Sequence, residues 1–270
     1  MKDYKVLFVS QAITPYLPES EMSKMGRYLP QGIQEKGNKI RTFMPRYGVV
    51  NERRHQLHEV IRLSGMNLII DDTDHPLIIK VASIQSARMQ VYFIDNEDYF
   101  HRKSILKNKE GKDFGDNDER AIFFARGVLE TVKKLRWSPD IVHCIGWFAG
   151  LIPLYLKKTY HDDPLFMNTK IVYSVYPDSF SGPLNKNFKN KLQIEGINDD
   201  DLNVLKSNDY IDFNKLAILH SDGVAFGSPD INPTLLDFAK DQDVPTMSHE
   251  EHEQYVESYS KFYNRILNGN

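Results

Sequence analysis

Asp140-Ile-Val-His-Cys-Ile-Gly-Trp-Phe-Ala-Gly-Leu-Ile-Pro-Leu-Tyr-Leu-Lys157 is the stretch on which the fold turns. Ile141-Val-His-Cys144 reads as a short strand, and Phe148 to Lys157 as the helix that follows it. Immediately upstream, Ile122, Phe123, Ala125, Val128, Leu129, Val132 and Leu135 recur at steps of three and four. That spacing predicts a long core helix after Asn117, with Pro139 separating it from the strand. Downstream, Lys170-Ile-Val-Tyr-Ser-Val175 predicts another strand. The order is therefore helix, strand, helix, strand.

The chain begins with the same alternation. Lys5-Val-Leu-Phe-Val-Ser10 is an apolar run of the kind buried on both faces of a parallel sheet. Met22, Met25, Leu29 and Ile33 give helical spacing over Met22 to Lys36, Gly37 supplies a left-handed stop, and Lys39 to Met44 predicts a second strand. Toward the other end, Ile211 to Leu219 suits a helix, Gly223 to Phe226 a strand, and Pro233 to Lys240 a helix. Such alternation predicts an α/β fold with a doubly wound, mostly parallel, Rossmann-like sheet. Between Leu57 and Ile94 the pattern changes. Val60–Leu63, Leu68–Ile70, Leu77–Val81 and Met89–Ile94 predict strands without long helices between them, an inserted hairpin or sheet extension that turns at Asp71-Asp-Thr-Asp74. A capping box of Ser248 and Glu251 predicts a terminal helix over about 249–267, with Tyr255, Tyr259, Phe262, Tyr263 and Ile266 on one face.

Composition bounds the function. Among 270 residues, 34 Lys and Arg stand against 37 Asp and Glu, for a formal net charge of −3. No basic run interleaved with aromatics suggests a nucleic-acid groove, and Lys186-Asn-Phe-Lys-Asn-Lys191 reads as a solvated loop or helix face. No apolar run reaches membrane-spanning length, and the amino-terminal residues enter a strand without a signal-peptide pattern, so a cytoplasmic location without membrane contact is expected. The lone Cys144 excludes an intrachain disulfide and reads as core filling.

The usual phosphate cradles are missing: no Gly-x-Gly-x-x-Gly follows the first strand and no Walker sequence occurs. In a doubly wound sheet ligands bind at the carboxyl ends of the strands, which places Gln11–Glu21, Cys144–Trp147 and Tyr176–Phe180 around one crevice. His249-Glu-Glu-His252 spaces its histidines by three rather than the four of the zinc-protease helix, and reads as a helix first turn. Asp199-Asp-Asp201 reads as a charged helix start, not a calcium loop. Asp116, Asp118 and Glu119 open the long helix, where capping is as natural a role as catalysis. Neither a metal nor a cofactor is expected.

Taken together, five stretches resemble the glycogen/starch synthases of glycosyltransferase family 5. They are Asp140–Lys157, Leu29–Gly48, Val91–Asp95, Gly111–Arg120 and Asp222–Pro229. The first is similar to the family's Asp-Val-Val-His-Ala-His-Asp-Trp-His-x-Gly-Leu-x-Pro, with Ile145 and Gly146 standing at its second His and its Asp. The resemblance implies the N-terminal half of a two-domain GT-B enzyme that transfers glucose from ADP-glucose to an α-1,4-glucan. The family's Lys-x-Gly-Gly-Leu loop becomes Pro18-Glu-Ser-Glu-Met22, without the cation and with two carboxylates that repel a diphosphate. Its Thr-Ile-His-Asn strand end becomes Ser174-Val-Tyr-Pro177. After Pro229 about forty residues remain, fewer than the roughly 100 of a typical domain. The expectation is one N-terminal-type domain over 1–270 with the second GT-B domain absent, inactive alone, and with no catalytic residue assigned. Asp116, Asn117, His143 and Trp147 match polar or aromatic family positions, and with Tyr176 they form the expected substrate-binding set. His143 and Trp147 suit core packing as well as they suit a ligand. The partners this allows are an α-glucan or other sugar, or a second protein chain that the protein regulates or with which it completes a split glycosyltransferase.

Overall fold

The computed structural model describes residues 3–250 and 254–269. The first strand, β1 (Lys5–Ser10), leads through α1 (Glu21–Glu35) to β2 (Lys39–Pro45). A short helix α2 (Glu52–His55) and the strands β3 (His58–Glu59), β4 (Met66–Ile70), β5 (Thr73–Ile84) and β6 (Met89–Asp95) follow. After α3 (Glu97–Phe100) come α4 (Asn117–Leu135), β7 (Ile141–Ile145), α5 (Ile152–Lys158) and β8 (Lys170–Val175). The last third holds α6 (Phe188–Leu192), α7 (Tyr210–Leu219), β9 (Gly223–Phe226), α8 (Pro233–Asp241), β10 (Thr246–Met247) and α9 (Tyr255–Asn268). No helix among the described residues is long and apolar enough to cross a membrane.

The strands form one sheet in the order β10-β9-β8-β7-β1-β2-β6-β5-β3, with β4 paired to β5. From β10 to β6 every neighbour is parallel, and β5 pairs antiparallel with β6, β3 and β4. The expected mostly parallel, doubly wound sheet with an inserted extension is thus observed. Its hairpin turns at Asp71 and Asp72, both left-handed (φ 48° and 62°), the geometry that two-residue hairpin loops require. Val60–Leu63, expected as a strand, is instead a turn, closed by Leu63 N–H donating to the Val60 carbonyl at 2.8 Å. It drops Leu63 into the core and leaves Ile61 outside, an inside–outside pattern that a turn and a strand share.

Side chains alternate across the parallel strands. Leu7, Val9, Val142, Cys144, Ile171 and Tyr173 face α4, α5 and α7. Val6, Phe8, Ile141, Ile145 and Val172 face α1 and α9. Cys144 is fully enclosed and burial pushes its thiol pKa far up, consistent with core filling. The terminal helix begins at Tyr255 rather than near 249, and residues 248–250 are not helical. Glu251 of the expected capping box and His252 of the His-Glu-Glu-His motif lie outside the described residues. Lys191 is not solvated as its stretch suggested. Phe188 and Leu192 anchor α6 in the core and carry the Lys191 ammonium to Asp118 (3.0 Å) and Glu119 (2.5 Å).

Candidate functional site

Strand order reverses between β1 and β7, so the crevice at their carboxyl ends is the position where such sheets hold ligands. The three expected loops meet there. Gln11 N–H donates to the Ile145 carbonyl at 3.1 Å, and its Oε1 accepts from Phe148 N–H at 3.0 Å. Trp147 N–H reaches Asp178 Oδ2 at 3.3 Å. Gly146 makes this turn with φ 83°, and a Cβ there would lie 2.9 Å from Met22 Sδ and 3.1 Å from Gln11 Oε1. Met22 and Gln11 therefore fill the space directly over the switch point.

The amino terminus of α1 opens beside it. Free helix amino termini attract anions through their unpaired N–H groups and the helix dipole. Here Ser20 Oγ accepts from Ser23 N–H at 3.1 Å while Ser23 Oγ accepts from Ser20 N–H at 2.8 Å. With Glu21 in the first turn, this end is already capped and carries negative charge.

Next to the plugged switch point lies a cavity of about 430 Å³. Glu21, Lys24 and Met25 of α1 form one wall, Tyr176 and Gly227 its sheet side, and His249, Glu250 and Tyr255 the side toward α9. The Tyr176 ring lies so close over Gly227 that a Cβ at that position would stand 2.3 Å from it. The Tyr176 hydroxyl is sealed without a partner among the described residues, while its carbonyl accepts from Tyr210 Oη. Lys24 is partly neutralised by Glu19 at 3.4 Å. Nearby, Asp178 is sealed, and burial raises its carboxyl pKa to about 7 against the opposing hydrogen bond from Trp147 N–H. Two aromatic rings and two carboxylates suit a neutral, hydroxyl-rich ligand. A like-charged phosphate about 4 Å from a carboxylate would be opposed by about 4 kcal/mol at an effective dielectric near 20.

The five expected substrate-binding residues are dispersed. Tyr176 lines the cavity. His143 lies beneath it in the α9-facing core, with Nδ1 2.7 Å from Tyr263 Oη and Nε2 2.7 Å from Ser174 Oγ. Burial lowers its pKa to about 3, so the ring is neutral. Trp147 is fully enclosed on the opposite face among Phe148, Phe180 and Phe213, with ring centroids 4.8–5.4 Å away. Asn117 donates to the Leu106 carbonyl at 2.9 Å and accepts from Arg120 at 2.6 Å, beside a separate hollow of about 230 Å³. Asp116 does not cap α4 with its side chain; it makes a two-pronged pair with Arg102. In the sequence Gln11 and Asp178 stand out only as members of loops, although a polar residue just past a strand's carboxyl end is a usable signal. Glu250 and Tyr255 carried no such signal, because they reach the cavity from α9 and the segment before it.

The starch synthase catalytic domain family matches residues 5–240. A glycogen synthase of Chlorobium limicola is 39% identical over 176 residues, covering 65% of this chain and 36% of that protein. A glycogen synthase of Chlorobaculum parvum is 36% identical over 214 residues, covering 76% of this chain and 43% of that protein. The chain thus spans less than half the length of these relatives. The catalytic domain of starch synthase IV from Arabidopsis thaliana, bound to ADP and acarbose, superposes with a TM-score of 0.73 at 15% identity, covering 92% of this chain and 51% of that one. That likeness establishes the shared GT-B fold.

Proposed function

Because the chain belongs to the starch synthase catalytic domain family, we propose that it is a glycogen/starch synthase-like protein that binds an α-glucan or related sugar and does not by itself transfer glucose from ADP-glucose. The observation that carries this reading is the charge at the crevice. Ser20 and Glu21 occupy the helix end that would otherwise meet a diphosphate, and Met22 and Gln11 fill the switch point. Retaining glucosyl transfer depends on stabilising charge at the departing diphosphate, usually the largest catalytic contribution. The described crevice offers Lys24, already paired with Glu19, among carboxylates.

A sugar fits the same wall chemically. Tyr176 and Tyr255 contribute aromatic surface for its C–H groups, Glu21 and Glu250 accept from its hydroxyls, and Lys24 donates to its oxygens. Of the residues expected from sequence, Tyr176 is the one this reading places against the sugar; Asp116, Asn117, His143 and Trp147 act through the scaffold.

Calorimetric titration with maltooligosaccharides and with ADP-glucose, beside a glucosyl-transfer assay, tests the proposal. The expected result is saturable heat with maltooligosaccharides, weakened roughly tenfold by Tyr176→Ala, and neither binding nor turnover of ADP-glucose. Turnover of ADP-glucose would overturn the inactive reading. Silence toward both ligands, with a stable complex formed on a second protein chain, would replace sugar binding by a regulatory or split-enzyme role.

A further inference from the structure

At the opposite end of the sheet, away from the crevice, β2 and β6 begin. Their parallel pairing starts only at Thr42 and Val91, and the gap before it opens into a hollow of about 180 Å³. Arg41 and Arg88 line it, together with Gln34, Gln90 and Tyr92. No carboxylate among the described residues contributes to its wall.

Arg41 is held rigidly. Its guanidinium carbon lies 5.3 Å from the Trp137 ring centroid and 5.6 Å from that of Tyr92, and Nη1 donates to Tyr92 Oη at 2.7 Å. Stacking of this kind fixes the plane of the guanidinium before any ligand arrives. Among the described residues its Nε is sealed without an acceptor, and Gln34 Oε1 without a donor. Arg88 adopts the left-handed conformation (φ 51°) that ends the turn before β6, and its carbonyl faces Gln34 Nε2 at 3.5 Å. Neither guanidinium is paired with a carboxylate among the described residues. Glu35, beside Gln34 in α1, is engaged by Gln31 at 2.7 Å.

Two arginines without a carboxylate partner among the described residues line one hollow, and planar forks of this type match the oxygens of phosphate. The volume is below the roughly 300 Å³ at which sites for drug-sized ligands begin, which excludes a nucleotide or an oligosaccharide and fits an anionic group with little attached. We propose that the amino ends of β2 and β6 form an oxyanion site, in which Arg41 and Arg88 bind a phosphate or a phosphomonoester. The site is separate from the sugar cavity and does not depend on what that cavity binds.

Trp137, stacked on Arg41, is one of two tryptophans in the chain, and the other, Trp147, is enclosed in the core. Emission therefore reports the site directly. Inorganic phosphate and methyl phosphate are titrated into the intact chain and into Arg88→Gln, Arg41→Gln and Arg62→Gln. Arg88 and Arg62 are exposed, so these two variants keep the fold. The expected result is saturable quenching or shift, weakened roughly tenfold or more by Arg88→Gln and Arg41→Gln and unchanged by Arg62→Gln. Equal affinities for the two probes would assign recognition to the anion alone, and tighter methyl phosphate to an ester. A linear, non-saturating response to both probes, or saturation that Arg88→Gln leaves unchanged, would overturn the proposal.

Discussion

Arg120 carries its charge into the core with no carboxylate paired to it among the described residues. Nε donates to the Tyr99 carbonyl at 2.8 Å, Nη1 to Asn117 Oδ1 at 2.6 Å and Nη2 to the Ile105 carbonyl at 2.8 Å. Rings of Tyr47, Phe100, Phe114 and Phe148 lie 5.3–5.9 Å from the guanidinium carbon. Burial lowers its pKa to about 10, so it stays protonated at neutral pH. The planar fork is what this place requires, since three acceptors lie in different directions. Arg120→Gln should destabilise the fold by about 3 kcal/mol in urea unfolding, through unsatisfied buried acceptors. Arg120→Lys should recover only part of that loss, and full recovery would mean that charge alone matters. The same geometry gives Asn117 its observed work, joining α4 to the 101–106 loop through Arg120 and Leu106. An Asn at the start of a helix looks alike in sequence whether it meets a ligand or an arginine.

The α9 helix and β9 fit together with no spare room. A Cβ on Gly223 would lie 2.7 Å from Ile266 Cδ1 and 2.9 Å from Phe262 Cζ. Gly223→Ala should therefore cost about 1–3 kcal/mol by overpacking and lower amide-exchange protection in α9 more than in α4. Gly115→Ala is the control, because no atom lies within 4 Å of its added methyl; an equal loss in both variants would refute the packing account. The apolar face of α9 was legible as Tyr255, Tyr259, Phe262, Tyr263 and Ile266, all of which are buried. Its start was less legible. Ser248 and the acidic run after it have the composition of a helix cap, but the chain leaves β10 at Met247 and the helix begins eight residues later, at Tyr255. Capping composition permits a helix start without fixing where it occurs.

Across the whole molecule, His143 and Asp178 tie stability to pH in opposite directions. Asp178 is raised from 3.8 to about 7. Its native carboxyl keeps a proton that the unfolded chain releases, so its contribution is full below pH 3.8 and is lost as pH rises to about 7. His143 is lowered from 6.5 to about 3, so its contribution is full above pH 6.5 and is lost as pH falls toward 3. Relative to the unmodified protein, Asp178→Asn should gain stability from pH 4 to 7 and level off above, by up to about 1.4 kcal/mol per pH unit. His143→Phe should show a deficit that shrinks as pH falls below 6.5. Urea unfolding at several pH values checks both, and parallel pH curves for variant and unmodified protein would contradict these assignments. The alternation of strands and helices, the doubly wound sheet and the hairpin extension are determined by the sequence alone, because burial of a strand or helix face is written locally in residue type and in spacings of two and 3.6. The partnership of Trp147 N–H with Asp178, the seating of Lys191 on Asp118, the enclosure of His143 by Tyr263 and the stacking of Arg41 on Trp137 had to await the folded chain. These partners come from elements 31 to 120 residues apart, and no local spacing specifies which polar group another element will bring to meet them.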